Sequence, residues 1–193
     1  AGSGSITKQG NGMMTLSGTS SYTGTTIIAG GTLNATTISD YGIAGSLGKR
    51  ASDSGPGNVG ILFRGGTLQY TGSTPQSTNR AIRISTTGGA TIDASGSNPA
   101  ATLSFTAASS PDFFENNGNR TLRLTGTNTG DNTFAMAITE VGVTSLVKSG
   151  SGKWVLTGAN NYTGSTTVSG GILSLTSASL GDSSSVMIEA GAM

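Results

Sequence analysis

The stretch "NNYTGSTTVSGGIL" (residues 160–173) has a counterpart near the start of the chain, "SSYTGTTIIAGGTL" (residues 20–33). The likeness extends to both sides, because residues 6–36 align with residues 146–176 without a gap and share 13 of 31 positions. Glycine and threonine match easily in a chain rich in both, but paired Lys, Tyr and Leu residues do not. We therefore interpret the two stretches as copies of a structural repeat, and repeats of this length indicate a solenoid or a similar array.

The composition argues against a wide globular core. Glycine occupies 32 of 193 positions, charged residues make up 10% of the chain and aromatic residues 5%. With 34% hydrophobic residues and a net charge of +1, the chain also lacks the highly charged, apolar-poor composition of disordered proteins. Its small and β-branched apolar residues recur in short runs, which favours a narrow core built from many short strands.

Cysteine and histidine are both absent. This excludes a disulfide framework, a Ser-His-Asp triad and a His-based zinc motif within this sequence. The sequence contains no apolar run long enough for a transmembrane helix. It begins "AGSGSITKQG" and ends "IEAGAM" within a pattern, so we expect either a part of something longer or a mature subunit.

Short segments alternate between apolar and polar residues, as half-buried strands do. The clearest are "RAIRIS", "ATLSFTA", "RTLRLTG" and "NTFAMAIT", bounded by Gly, Asn, Ser or Pro. No window has the pattern of an amphipathic helix, because glycine interrupts every candidate. A propeller would show a blade period and a sandwich would need more large apolar residues, so we predict a β-solenoid with about eight or nine turns of roughly 20–25 residues. Side chains that should be buried in it are Leu16, Leu33, Leu156, Val168 and Leu173, and those that should be exposed are Arg83 and Arg123.

The second copy reads "SLVKSGSGKWVLTGANNYTGSTTVSGGILSL" (residues 145–175). The positions that matter in it are Leu146, Lys148, Gly150, Gly152, Leu156, Gly158, Asn160, Tyr162, Gly164, Thr166, Val168, Gly171 and Leu173. This pattern resembles the passenger-associated repeat of bacterial autotransporters, and the first copy matches it with Ile6 for the first Leu and Ser20 in place of Asn160. The resemblance implies an all-β, right-handed parallel β-helix that is displayed outside the cell. We expect residues 1–193 to form a single β-solenoid segment.

Several recurring side chains could bind a ligand or simply build the fold. Tyr22 and Tyr162 could stack on sugar rings, but we favour the interpretation that each ring covers the edge of the core while its hydroxyl stays in water. Trp154, the single tryptophan, aligns with Met14, which indicates a packing position. Lys8 and Lys148 could contact phosphate or glycan, although a lysine before a glycine turn more often lies in solvent or pairs locally.

Charged residues give two further hypotheses. The arginines Arg64, Arg80, Arg83, Arg120 and Arg123 would form a basic stripe if their strands stack in register, but a balance of ten basic to nine acidic residues argues against dedicated nucleic-acid binding. The acidic residues are scattered and no two share the close spacing of a hydrolase or lyase centre. Asp112 with Glu115 is turn-like, and Asp131 with Asn128 and Asn132 could hold a weak calcium ion.

The sequence therefore predicts a structural segment, a stalk or fibre, of an extracellular surface protein of a Gram-negative bacterium. Its partners would be further copies stacked head to tail, or adjoining repeats of a longer chain, with no nucleic acid and no transmembrane segment. An adhesin that binds glycans or host molecules along the solenoid face is the alternative. We expect no enzyme activity, no catalytic or metal site and no cofactor, and the sequence leaves any ligand-binding residues unknown.

Overall fold

The computed structural model describes residues 3–52, 59–107, 118–176, 178–181 and 185–193. Within these ranges the regular structure is entirely β, and no helix could cross a membrane. The strands are β1 (Ile6–Lys8), β2 (Met13–Leu16), β3 (Thr26–Ile28), β4 (Thr32–Ala35), β5 (Ile61–Phe63), β6 (Thr67–Tyr70), β7 (Gln76–Thr78), β8 (Ile82–Ile84), β9 (Ala90–Ala94), β10 (Leu103–Phe105), β11 (Arg120–Thr125), β12 (Asn132–Phe134), β13 (Thr144–Lys148), β14 (Lys153–Leu156), β15 (Thr166–Val168), β16 (Ile172–Leu175) and β17 (Val186–Ile188).

The strands stack into three parallel sheets, each of which forms one face of the molecule. The long sheet has the order β2-β4-β6-β9-β11-β13-β15-β17 and runs from one end of the solenoid to the other. The N-terminal short sheet has the order β1-β3-β5-β8, and the C-terminal short sheet has the order β7-β10-β12-β14-β16. Every pair of the strands named above that is hydrogen-bonded is parallel. The predicted all-β class and parallel β-helix are confirmed.

Rung length is regular inside the repeat copies and longer between them. Leu146 pairs with Thr166, which in turn pairs with Val186, so that these two rungs are equally long. In the first copy Met13 pairs with Thr32, and this rung has nearly the same length. The next rung, from Thr32 to Thr67, is almost twice as long because an extra loop is inserted after β4. The predicted rung length therefore fits the repeats approximately, whereas the middle of the chain carries longer excursions.

The two repeat copies occupy different faces of the solenoid. In the first copy the strands β1 and β3 belong to the N-terminal short sheet, and β2 and β4 to the long sheet. In the second copy the equivalent strands β13 and β15 belong to the long sheet, and β14 and β16 to the C-terminal short sheet. Rungs with three strands, such as β5-β6-β7, lie between the copies. After these rungs, the second copy occupies the next pair of faces around the solenoid.

The core is a column of apolar side chains stacked rung on rung. Along the long sheet, the register aligns the inward residues in the order Met14, Leu33, Leu68, Ile92, Leu124, Lys148, Val168 and Ile188. Aromatic rings fill the C-terminal short sheet, where the ring centroids of Phe105 and Phe134 lie 5.9 Å apart. The alternation read from the sequence is correct, since Ile82 and Ile84 are fully buried, as are the inward residues of β10 and β11.

Most of the burial predictions are confirmed and one is wrong. Leu33, Leu156 and Val168 are buried. Leu16 and Leu173 are only half-buried although they pack on the core, because they lie in rungs near the two ends. Arg123 is exposed as expected.

Arg83, which we expected in solvent, is only 4% exposed. It does face outward between two inward isoleucines, but the outer face of the N-terminal short sheet is covered here. Its neighbour in register, Leu62 of β5, also faces outward and is also buried. Strand alternation predicts the direction of a side chain, whereas its exposure depends on what packs against that face.

Candidate functional site

The lysine of each repeat copy lies inside the solenoid. Lys148 is at the end of β13, fully buried, and its ammonium Nζ donates to the carbonyl oxygens of Ser149 at 2.8 Å, Gly150 at 3.0 Å and Gly170 at 2.8 Å. Two of these carbonyls belong to the turn between β13 and β14, which is the corner that follows the lysine. The third belongs to the turn between β15 and β16, which is the equivalent corner of the next rung. All three ammonium hydrogens therefore have acceptors, without an acidic partner among them.

The first copy has the same arrangement at the equivalent positions. Lys8 Nζ donates to the carbonyls of Gln9 at 2.9 Å, Gly10 at 2.8 Å and Gly30 at 3.0 Å. The expectation that these lysines lie in solvent is wrong, and the local pairing that we considered is only part of the contact, since each lysine also binds the rung above. Burial lowers the pKa of Lys148 to about 8, so that its ammonium form still predominates at neutral pH.

The tyrosine of the second repeat copy is also internal, and its counterpart Tyr22 is half-buried. The Tyr162 side chain is fully buried and its hydroxyl lies 2.7 Å from the Thr166 Oγ1, while Tyr22 makes the same contact with Thr26 at 2.8 Å. Desolvation raises the pKa of Tyr162, and the hydrogen bond with Thr166 opposes that rise only in part. The ring of Tyr162 does cover the core as expected, but for this residue the prediction of a hydroxyl in water is wrong. Because the strand that follows begins with an inward threonine, the hydroxyl is buried against it.

Trp154 holds a packing position, as its alignment with Met14 indicated. It is fully buried and its indole Nε1 donates to the carbonyl oxygen of Thr125 at 2.8 Å. Met14 is more exposed because β2 pairs with β4 alone at the end of the long sheet. Because the Trp154 ring is buried, it offers no aromatic surface for recognition.

The five central arginines do not form a stripe. Arg80 is fully buried, and its guanidinium donates to the carbonyls of Ser39 at 2.9 Å, Leu47 at 2.5 Å and Gly48 at 2.8 Å, which holds the loop after β4 against the solenoid. Desolvation lowers the pKa of Arg80. Its Cζ lies 6.0 Å from the centroid of the Tyr41 ring.

Arg120 repeats this use of a buried guanidinium. It donates to the carbonyl oxygens of Ile84 at 2.9 Å, Gly118 at 2.9 Å and Val141 at 2.5 Å. Arg64 and Arg123 are exposed, whereas Arg83 is buried as described above. A basic stripe would need exposed arginines stacked in register on neighbouring strands. The five arginines are not arranged in this way, because three of them are buried.

Acidic residues make separate contacts in the described part of the chain. Asp131 forms an ion pair with Lys153, Oδ1 to Nζ 2.6 Å. The Glu140 carboxylate accepts from the backbone N–H of Thr144 at 2.8 Å and of Thr163 at 3.0 Å, and from the Thr163 hydroxyl at 2.7 Å. Desolvation alone would raise the pKa of Glu140, but these hydrogen bonds outweigh it and lower the pKa.

No metal cluster of three acidic side chains exists among the described residues. The amide oxygens of the suggested calcium group are used elsewhere, since Asn132 Oδ1 accepts from the Leu103 N–H at 2.8 Å and Asn128 Oδ1 from the Gly130 N–H at 3.0 Å. Asp112 and Glu115 lie outside the described residues, as do Asp53 and Asp182.

The residues that sequence reasoning undervalued are the buried cations. Six of the ten basic side chains are buried, which is unusual because Lys and Arg are among the residues least often found inside proteins. For the lysines a signal existed: each copy places Lys shortly before a Gly, and at the same distance before a Gly-Gly pair. For Arg80 we find no comparable pattern in the sequence.

Comparison with known proteins agrees with this geometry. A family model described as the passenger-associated-transport-repeat matches residues 6–35 and 146–175. The chain is 38% identical over 140 residues, 72% of its length, to a protein named adhesin BmaC autotransporter from Brucella suis biovar 1 (strain 1330), and spans only about 4% of the length of that relative. No solved structure matches the chain. The paired corners and buried lysines coincide with the two matched repeats, and the chain therefore carries two copies of the passenger-associated-transport repeat, the repeat of the β-helical autotransporter passengers that Gram-negative bacteria carry outside the cell or at its surface.

Proposed function

We propose that this passenger segment is structural, a stalk or fibre that carries other parts of a surface protein away from the cell. The observation on which this depends is that the lysine and tyrosine of both copies make their hydrogen bonds within the solenoid. The ammonium group of Lys148 binds the next corner, and the Tyr162 hydroxyl lies against the next strand. A repeat whose polar groups are used internally supports length and rigidity rather than recognition.

The outer faces support the same proposal. Along the C-terminal short sheet the register aligns the outward residues Ser77, Ser104, Thr133, Val155 and Ser174. Small hydroxyl side chains hydrate well and offer little apolar area to a partner. We further propose that the segment has no catalytic role, which its similarity to an adhesin passenger favours and which the separated carboxylates of the described residues support.

Adhesion through the segment itself is the second candidate. The named relative is an adhesin, and an open cleft of about 430 Å³ is lined by the polar residues Ser3, Ser5, Thr23, Thr25, Arg50 and Ser52. Hydroxyl groups and a guanidinium suit a glycan. This cleft is therefore the candidate glycan-binding site of the described structure.

Binding to glycan arrays and to host-cell surfaces decides between the two candidates. The structural role predicts no saturable binding by the purified chain. Saturable binding that soluble sugar displaces would overturn it in favour of adhesion. In that case S3W, which fills the cleft, should abolish binding, whereas S174W on the outer face of β16 should not.

We also propose that both end rungs are covered in the working protein, by a second copy of the chain or by adjoining repeats. Apolar side chains lie open at each end, with Met13 62% and Met193 71% exposed. An unpaired strand edge with an apolar face readily accepts another strand. Sedimentation of the purified chain tests the second-copy case, which predicts concentration-dependent oligomers that M14K or I188K suppresses. A monomer at every concentration would exclude self-association.

A further inference from the structure

The buried lysine occupies one position of an otherwise apolar ladder. In the long sheet Lys148 lies between Leu124 of the rung below and Val168 of the rung above. In the N-terminal short sheet Lys8 is followed by Ile28 and then by Phe63. Both copies therefore place an apolar residue directly above the lysine, although a glycine-containing corner follows that residue as well.

The lysine uses a carbonyl that a second lysine would need. Lys148 binds the carbonyls of the two residues that follow it, and also that of Gly170 in the next corner. A lysine at position 168 with the same local geometry would bind the carbonyls of Ser169 and Gly170. The Gly170 oxygen would then have to serve two ammonium groups at once.

The two charges would also lie close together. Adjacent rungs of a parallel sheet are about 4.8 Å apart. At an effective dielectric constant of about 20, two unit charges at roughly that separation repel by about six times the thermal energy RT. The apolar residue at positions 28 and 168 avoids both the repulsion and the competition for the carbonyl.

We infer that the buried lysine excludes a second lysine from the same position of the next rung, so that two stacked corners hold a single ammonium group. Each matched repeat accordingly contains one buried lysine. This inference holds whether the segment is a stalk or an adhesin.

Two substitutions at position 168 separate charge from size. V168K introduces a second cation one rung above Lys148, and V168M introduces an uncharged side chain of similar length. We expect the melting temperature of V168K to be roughly 10 °C below that of V168M, from the repulsion above and the usual shift for a chain of this size. Equal melting temperatures would overturn the inference, because size alone would then explain the effect.

The double variant K148M/V168K supplies the second measurement. It contains one cation, moved by one rung, and leaves the carbonyls of Ser169 and Gly170 to it. We expect it to regain most of the difference between V168K and V168M, or to fold where V168K does not. If the double variant is no more stable than V168K, or if neither folds, the lysine at 148 is not the cause and the inference fails. I28K and I28M repeat the comparison in the first copy.

Discussion

The corner of the second repeat gives the sharpest prediction, for the variant G171A. Gly171 has a φ of 64°, in the left-handed region, and a Cβ there would contact the Gly152 carbonyl oxygen and lie 2.6 Å from that of Gly150. Both oxygens belong to the rung below, so relief requires the two rungs to move apart. The left-handed conformation costs alanine about 1–2 kcal/mol, and forcing a methyl group into a packed site costs about 1–3 kcal/mol more.

A matched control lies at the corner of the following rung. Gly191 also has a positive φ, 83°, but a Cβ at that position meets nothing within 4 Å. G191A therefore incurs the backbone cost alone. At about 2–4 °C per kcal/mol for a chain of this size, we expect G171A to lower the melting temperature by roughly 10 °C and G191A by roughly 4 °C. Thermal unfolding followed by far-UV circular dichroism measures both, and equal shifts would refute the argument from close rung stacking.

Three further variants test individual contacts. Y162F removes the hydroxyl that meets Thr166, and we expect a loss of about 1 kcal/mol in the free energy of unfolding, measured by urea unfolding; no loss would show that the contact contributes nothing. The pKa of Glu140 is lowered on folding, so the contribution of this carboxylate to stability is complete above the ordinary pKa of about 4.3 and is lost as the pH falls through the lower folded value. The variant E140Q should therefore lose less stability on acidification than the parent protein. Identical dependences of the unfolding free energy on pH would contradict this. The pKa of Lys148 is lowered to about 8, so between pH 8 and about 10.4 the unfolded chain binds more protons and stability should rise with pH relative to K148M. A difference between the two proteins that stays constant over this range would argue that Lys148 titrates normally.

Much of the fold could be predicted because its signals are local. Alternating residues in short runs indicate strands, paired glycines indicate corners, and the recurrence of both in a second copy indicates stacked rungs. These features need no knowledge of distant contacts. They correctly indicated the parallel β-helix, the inward positions of Leu33 and Leu156, and the packing role of Trp154.

Tertiary structure decided how the polar groups are used. The sequence shows Lys148 before a turn, but only the stacking of the next corner supplies the third carbonyl that makes its burial possible. Likewise Arg83 faces outward, as strand alternation predicts, and is nevertheless buried. The shift of the second copy to another pair of faces depends on the long rungs between the copies.

The sequence by itself therefore determined the rung, its corners and its inward residues, because these follow from neighbours along the chain. The third carbonyl of each buried lysine comes from a corner 22 residues further along the chain. Only the register of the folded solenoid, in which β13 pairs with β15 and β1 with β3, brings such groups together.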